Sequence, residues 1–151
     1  KEIPVETSLS TDSLYKFIGR YIARSLNRDE VLKRSGMVND SITHHLEIGV
    51  VEYITFTRSA LVLDRTQIIY KLSVNVSSNV ISVKMSDISY YYNEESDWAE
   101  KFTAEEWITD DIALNNKKTG FIYNRFGKFR TKTIDLFEQF CENLNGFIHS
   151  L

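Results

Sequence analysis

The chain has 151 residues, 42% of them apolar, 26% charged and 13% aromatic, with a formal net charge of -3. This fits one globular domain over residues 1–151, able to bury roughly two thirds of the surface its unfolded chain would expose. The charge gives no global pull toward nucleic acid, the lone Cys141 excludes an intramolecular disulfide and a thiolate zinc site, and no apolar run is long enough for a membrane-spanning helix.

Lys1 stands first, without methionine or signal peptide, as expected after removal of a leader or at an arbitrary cut. Residues Glu2 to Thr7 alternate and predict a short strand with Ile3 and Val5 facing inward. The period then changes. "LSTDSLYKFIGRYIARSL" sets Leu14, Phe17, Ile18, Tyr21, Ile22 and Leu26 on one helical stripe, with Ser10, Thr11 or Asp12 as cap and Asn27 as end signal. "RDEVLKRSG" reads as a further turn or two of helix before Gly36, and "MVNDS" as a loop. Ile42 to Ala60 is rich in β-branched and aromatic residues and predicts an extended segment, with Gly49 marking a bulge or a close backbone approach.

In "TQIIYKLSVNV", Ile68, Tyr70, Leu72, Val74 and Val76 alternate with Ile69, Lys71, Ser73 and Asn75, so one face of this strand is dry. Ser77, Ser78 and Asn79 form a hairpin connection, after which Ile81, Val83 and Met85 continue the dry face. Beyond Met85 the parity reverses: Asp87 and Ser89 fall on the apolar phase, while Ile88, Tyr90 and Tyr92 fall on the other. A regular strand cannot exchange its faces, which predicts a bulge or strand end near Ser86 and Asp87. "EESDWAEKF" reads as an acidic loop or short helix. "TAEEWITDDIALN" reads as a helix with Thr103 as cap, Glu106 reciprocating, and Ala104, Trp107, Ile108 and Ile112 packing. A turn at "NNKKTG" and a small extended piece around Gly127 precede a final helix, "TIDLFEQFCENLNGFI", whose stripe is Ile134, Phe137, Cys141, Leu144 and Ile148, broadened by Phe140. Without a repeated βαβ crossover, this order implies an α+β fold, a curved antiparallel sheet with the N-terminal and long C-terminal helices packed on one face.

Four segments, "DSLYKFIGRYIARSLN", "TQIIYKLSVNVSSNVISVKMSDISYYY", "AEEWITDD" and "GKFRTKTIDLFEQFCENLNGFI", carry a resemblance to the bacterial DUF4468 family. These are domains of unknown function with a TBP-like fold, found mainly in Bacteroidetes proteins that often carry an export signal. The resemblance implies that fold and a periplasmic or envelope location. It brings no catalytic residue onto this numbering, and a TBP-like sheet is a shape that does not import DNA binding.

Charge is strongly segregated along the chain. Glu94, Glu95, Asp97, Glu100, Glu105, Glu106, Asp110 and Asp111 are opposed only by Lys101, whereas Lys117, Lys118, Arg125, Lys128, Arg130 and Lys132 follow with no acid between Ile112 and Ile134. Arg125, Lys128, Arg130 and Lys132 are candidate anion contacts, with Tyr123, Phe126 and Phe129 as stacking groups. The competing reading is a solvated turn packed against the acidic segment. "DDIALNNKKTG" lacks the alternating ligands of an EF-hand, and Glu105 and Glu106 do not face each other across a cleft. His44 and His45 point to opposite faces of a regular strand, and His149 lies near the terminus. No metal site or cofactor is expected, and Cys141 reads as a small buried hydrophobe. Tyr90, Tyr91, Tyr92 and Ile88 are the candidate ligand-binding residues, on an exposed sheet face. The leading expectation is a non-enzymatic structural or binding domain with a protein or glycan partner. Its alternatives are a hydrolase using carboxylate or histidine chemistry and a passive packing domain of an envelope assembly.

Overall fold

A computed structural model of the chain describes residues 1–58, 63–93, 97, 99–110, 114–116, 121, 122 and 124–151. In chain order the elements are β1 (Glu2–Pro4), α1 (Thr11–Ser25), β2 (Val31–Arg34), β3 (Val38–Asp40), β4 (His45–Arg58), β5 (Leu63–Val76), β6 (Val80–Tyr92), β7 (Glu100–Thr103), α2 (Ala104–Trp107), β8 (Leu114–Asn116), β9 (Phe121–Ile122) and α3 (Asn124–His149). The long strands β4, β5 and β6 form an antiparallel centre, and each outer edge is shared by two short strands. β2 and β3 both pair with β4, and β1 and β7 both pair with β6.

Cross-strand partners share a face, so the registers define two surfaces. On one, Leu46, Ile48, Val50 and Ile54 of β4, Ile68, Tyr70, Leu72, Val74 and Val76 of β5, and Ile81, Val83 and Tyr90 of β6 are buried. Leu14, Tyr15, Ile18 and Ile22 from α1, Leu26 at its C-cap, and Phe129, Cys141, Leu144 and Ile148 from α3, join the same core, so both helices cover this face. Ser10 caps α1, its Oγ accepting the Ser13 N–H at 3.3 Å. The expected stripes are adjusted at Phe17 and Ile134, which remain 36% and 41% exposed, while Tyr15 and Thr133 turn inward.

The phase change in β6 is a bulge. Ile69 pairs with Ser89 and Lys71 with Ser86, leaving one extra residue on β6, and Asp87 takes φ 53. A short polar side chain tolerates this left-handed conformation better than a bulky one. Gly49, in contrast, sits in regular register opposite Lys71. It is not a close backbone approach either: a Cβ there would meet only the Ser35 side chain, at an ordinary 3.5 Å, while Ser35 N–H donates to the Gly49 carbonyl and Gly49 N–H to Ser35 Oγ, both at 2.9 Å.

Several expectations are corrected. The sheet is not curved or closed: β1-β6-β5-β4-β2 is an open order whose end strands are not joined, and the reversal of faces is absorbed locally at Asp87. "VLKR" is β2 instead of a helical turn, and Val38–Asp40 is β3 instead of loop, because the free edge of β4 pairs with both. Glu100–Thr103 is strand β7 for the same reason, on the edge of β6. Nonlocal ladder bonds override weak local preference here. The extended piece expected around Gly127 is replaced by helix, since Gly127 lies within α3, and strand pairing occurs just before it at Phe121–Ile122. Helix α2 is short; its capping box holds, with Thr103 N–H donating to Glu106 Oε2 at 2.6 Å. The expected packing residue Ile112 and the turn residues 117–120 lie outside the described residues.

Candidate functional site

Alternation sends the three consecutive tyrosines to different surroundings. Tyr90 is 1% exposed in the core and cannot be a surface contact. Its ring stacks on Phe102 and meets Phe129 edge-on, both at 5.3 Å, and its hydroxyl lies 2.6 Å from Thr133 Oγ1. Burial pushes its phenol up to about 12 despite the Thr133 bond. Tyr92 faces the same side, half-buried against Phe56 and Phe129, and donates to Asp64 Oδ1 at 2.8 Å. Ile88, beside the bulge, is half-buried. Tyr91 alone points to the uncovered side, opposite Lys101 of β7, whose ammonium lies 4.9 Å from its ring centroid.

Among the described residues no helix covers that side, and it is continuous. Lys33 pairs with Val51, Val51 with Ile69 and Ile69 with Ser89, making one row across β2, β4, β5 and β6. The next row is Tyr53, Gln67, Tyr91 and Lys101. At its centre are half-buried Val51, Tyr53 and Tyr91 and exposed Ile69. Cations surround them: Arg65 over the Tyr53 ring at 3.8 Å, Lys101 at Tyr91, Lys71 bonded to Asp87 at 3.0 Å, and exposed Lys33 and Lys84. Lys71 is held above its ordinary value by its bond to Asp87. A depression of about 400 Å³ lies on this surface between β2 and the bulge. Of the sequence candidates only Tyr91 belongs here. Val51, Tyr53 and Ile69 were missed, although they occupy the phase opposite the dry residues of β4 and β5.

The basic segment is largely committed to internal contacts. Lys128 Nζ donates to Asp64 Oδ2 at 2.7 Å and to the Tyr92 hydroxyl at 3.1 Å, and lies 4.5 Å from the Phe56 ring centroid. Burial alone would lower its pKa, but these bonds outweigh it and hold the ammonium above its ordinary value. Arg130 donates to the Ile108 carbonyl at 2.7 Å and pairs with Asp110 at 2.6 Å. Both are therefore fasteners of α3, not free anion contacts. Phe129 is fully buried. Lys132 is half-buried on α3, and the side chain of Arg125 and residue Tyr123 lie outside the described residues.

On the helix-covered face, Glu52 interrupts the apolar series of β4 at 1% exposure. The Tyr70 hydroxyl donates to its Oε1 at 2.5 Å, and Arg28 pairs with its Oε2. Burial and this carboxylate push the Tyr70 phenol far above its ordinary value. Each carboxylate oxygen has a donor, and the cluster ties the residues after α1 to the sheet beside a cavity of about 220 Å³. His44 Nε2 meets Asp12 at 2.7 Å and His45 Nδ1 meets Asn75 at 2.8 Å, so the two histidines serve separate contacts. Cys141 is buried, which raises its thiol pKa. Among the described residues no group of three or more His, Cys, Asp or Glu is placed to hold a metal, and no helix is long and apolar enough to cross a membrane.

No protein of curated function matches the chain. A TBP-like protein from Parabacteroides distasonis ATCC 8503 is similar over 99% of this chain and 90% of its own, with TM-score 0.74 and 17% identity, a likeness of fold alone. A DUF4468 family protein from Bacteroides ovatus ATCC 8483 is similar over 97% of this chain and 84% of its own, with TM-score 0.80 and 27% identity. The family model described as a domain of unknown function (DUF4468) with TBP-like fold matches residues 1–91, and the chain belongs to that family.

Proposed function

We propose that this domain is a binding module that docks an acidic protein surface on the uncovered face of its sheet. The observation that carries the reading is the cation-rimmed apolar centre formed by Val51, Ile69, Tyr53 and Tyr91. Aromatic groups at the centre with charge at the rim are the usual composition of a protein interface. A protein partner is favoured over a glycan because Arg65 and Lys101 lie over the rings that a sugar would need for stacking. Export to the periplasm or envelope is part of the same proposal, supported by the export signals common in the family and tested by cell fractionation.

Capture from native envelope extract by the domain and by its Ile69→Glu, Tyr91→Ala and Lys101→Glu variants tests the reading. A bound polypeptide should elute with salt and fall at least tenfold with each variant, while the unfolding midpoints stay near that of the parent. Equal capture by all variants, release by nuclease, or selective binding on a glycan array would overturn it.

A further inference from the structure

The helix-covered face is not filled from end to end. Tyr21 of α1 stacks on Phe147 of α3 at 4.7 Å and meets Phe140 at 6.4 Å, which joins the two helices at that level. Next to this contact the cavity of about 220 Å³ lies between the end of α1 and α3, over the cross-strand pair Leu72 and Met85. Leu26, Leu136 and Phe140 complete an apolar interior. Met85, Leu136 and Phe140 pack on the core yet stay only partly buried, because they border this cleft.

Polar side chains collect at its mouth, and most of them are already engaged. Ser25 Oγ donates to the Ile22 carbonyl at 3.0 Å, Gln139 Nε2 to Asn143 Oδ1 at 3.1 Å, and the Tyr70 hydroxyl to Glu52 Oε1 at 2.5 Å. Arg28 is different. It commits Nη2 to Glu52, and the rest of its five N–H donors have no partner among the described residues. The buried Glu52 therefore fixes the guanidinium at the mouth without using it up. Among the described residues lining the cleft there is no Asp or Glu, and Arg28 is the one charged side chain. Both Glu52 oxygens already have donors, so a cationic ligand would find no free acceptor behind it.

An apolar interior behind one fixed cation with unused donors matches a small molecule that has an apolar body and a single carboxylate, the anion a planar guanidinium grips best. Volume sets its size. A cavity of about 150 Å³ holds benzene, so about 220 Å³ holds one ring with its carboxylate. Tyr21 and Phe140 in the wall suit an aromatic ring.

We propose that the cleft between α1 and α3 binds a small aryl carboxylate, its ring against Leu72, Met85 and Phe140 and its carboxylate on Arg28. The site lies on the opposite side of the sheet from Tyr91 and does not depend on the protein-docking face.

Benzoate is the probe, compared with benzamide and benzylamine, each titrated into the intact domain with its methionine methyl groups isotopically labelled. The chain has two methionines, and only Met85 lines the cleft. Expected are a saturable shift of the Met85 methyl signal by benzoate with Met37 unmoved, and at least tenfold weaker binding of the other two compounds. Arg28→Gln, which keeps a donor for Glu52, should weaken benzoate at least tenfold, and Leu136→Trp should fill the cleft and abolish binding. The methyl spectrum of each variant shows that it is folded, and the three-compound comparison on the parent protein decides the matter if either is not. Equal binding of the three compounds, or benzoate binding unchanged in folded Arg28→Gln, would refute carboxylate recognition. No saturable shift at Met85, or undiminished binding by folded Leu136→Trp, would overturn the site.

Discussion

Replacing Tyr90 by alanine removes a fully buried ring wedged between Phe102 and Phe129 and leaves the buried Thr133 hydroxyl without its partner at 2.6 Å. Truncating a large aromatic in a packed core costs about 3–5 kcal/mol through lost transfer energy and the cavity left behind. Against a typical domain stability of about 5–15 kcal/mol, that is a large fraction. At about 2–4 °C per kcal/mol for a chain of this size, the midpoint should fall by about 6–20 °C. The neighbouring Tyr91→Ala, made on the uncovered face, loses a half-exposed ring and its contact with Lys101, and should cost about 1 kcal/mol or less. Thermal unfolding followed by tryptophan fluorescence and by circular dichroism measures both variants. If the two adjacent substitutions shifted the midpoint equally, or Tyr91→Ala shifted it more, the assignment of the two rings to opposite faces would be wrong.

Alkaline pH should destabilise the fold above about 10, where the buried Tyr70 and Tyr90 phenols ionise only on unfolding, and the share of Tyr90 falls between about 10 and 12, since it ionises near 10.0 when unfolded but only at about 12 when folded. Its contribution is intact below the lower value and lost as pH rises through the higher, so Tyr90→Phe should flatten the decline in unfolding midpoint over that window. Arg28→Ala leaves the Glu52 carboxylate with Tyr70 alone and should cost about 1–3 kcal/mol, reduced from the figure for a fully buried pair because the Arg28 side chain is 42% exposed. In a Glu52→Leu background the same substitution should cost far less, and a double-mutant cycle showing no coupling would refute the linkage. At the bulge, Asp87→Gly should be tolerated, whereas Asp87→Val should lose about 1–2 kcal/mol to left-handed backbone strain, read from paired denaturation curves.

Much of the core was legible because its signals are local. The alternation of Ile68 through Val76 defined a dry face, and the reversal after Met85 located the bulge to within a residue of Asp87. The helical period likewise found Ile18, Ile22, Cys141 and Leu144. The short strands were not legible. "VLKR" and "EKFT" carry little preference of their own and become strands only because a free edge of β4 or β6 pairs with them. The candidate site divided along the same line: sequence identified "YYY" as a place where aromatics gather, but treated the three rings as one patch.

The sequence by itself determined which residues alternate, where the period changes, and that Cys141 belongs to an apolar stripe, since these depend on neighbours a few positions apart. Tertiary structure decided which face each tyrosine meets, which cations are consumed by Asp64 and Asp110, and which short segments pair with the edges of β4 and β6. Those outcomes depend on register between segments distant in the chain, and a one-residue slip exchanges the two faces of a strand.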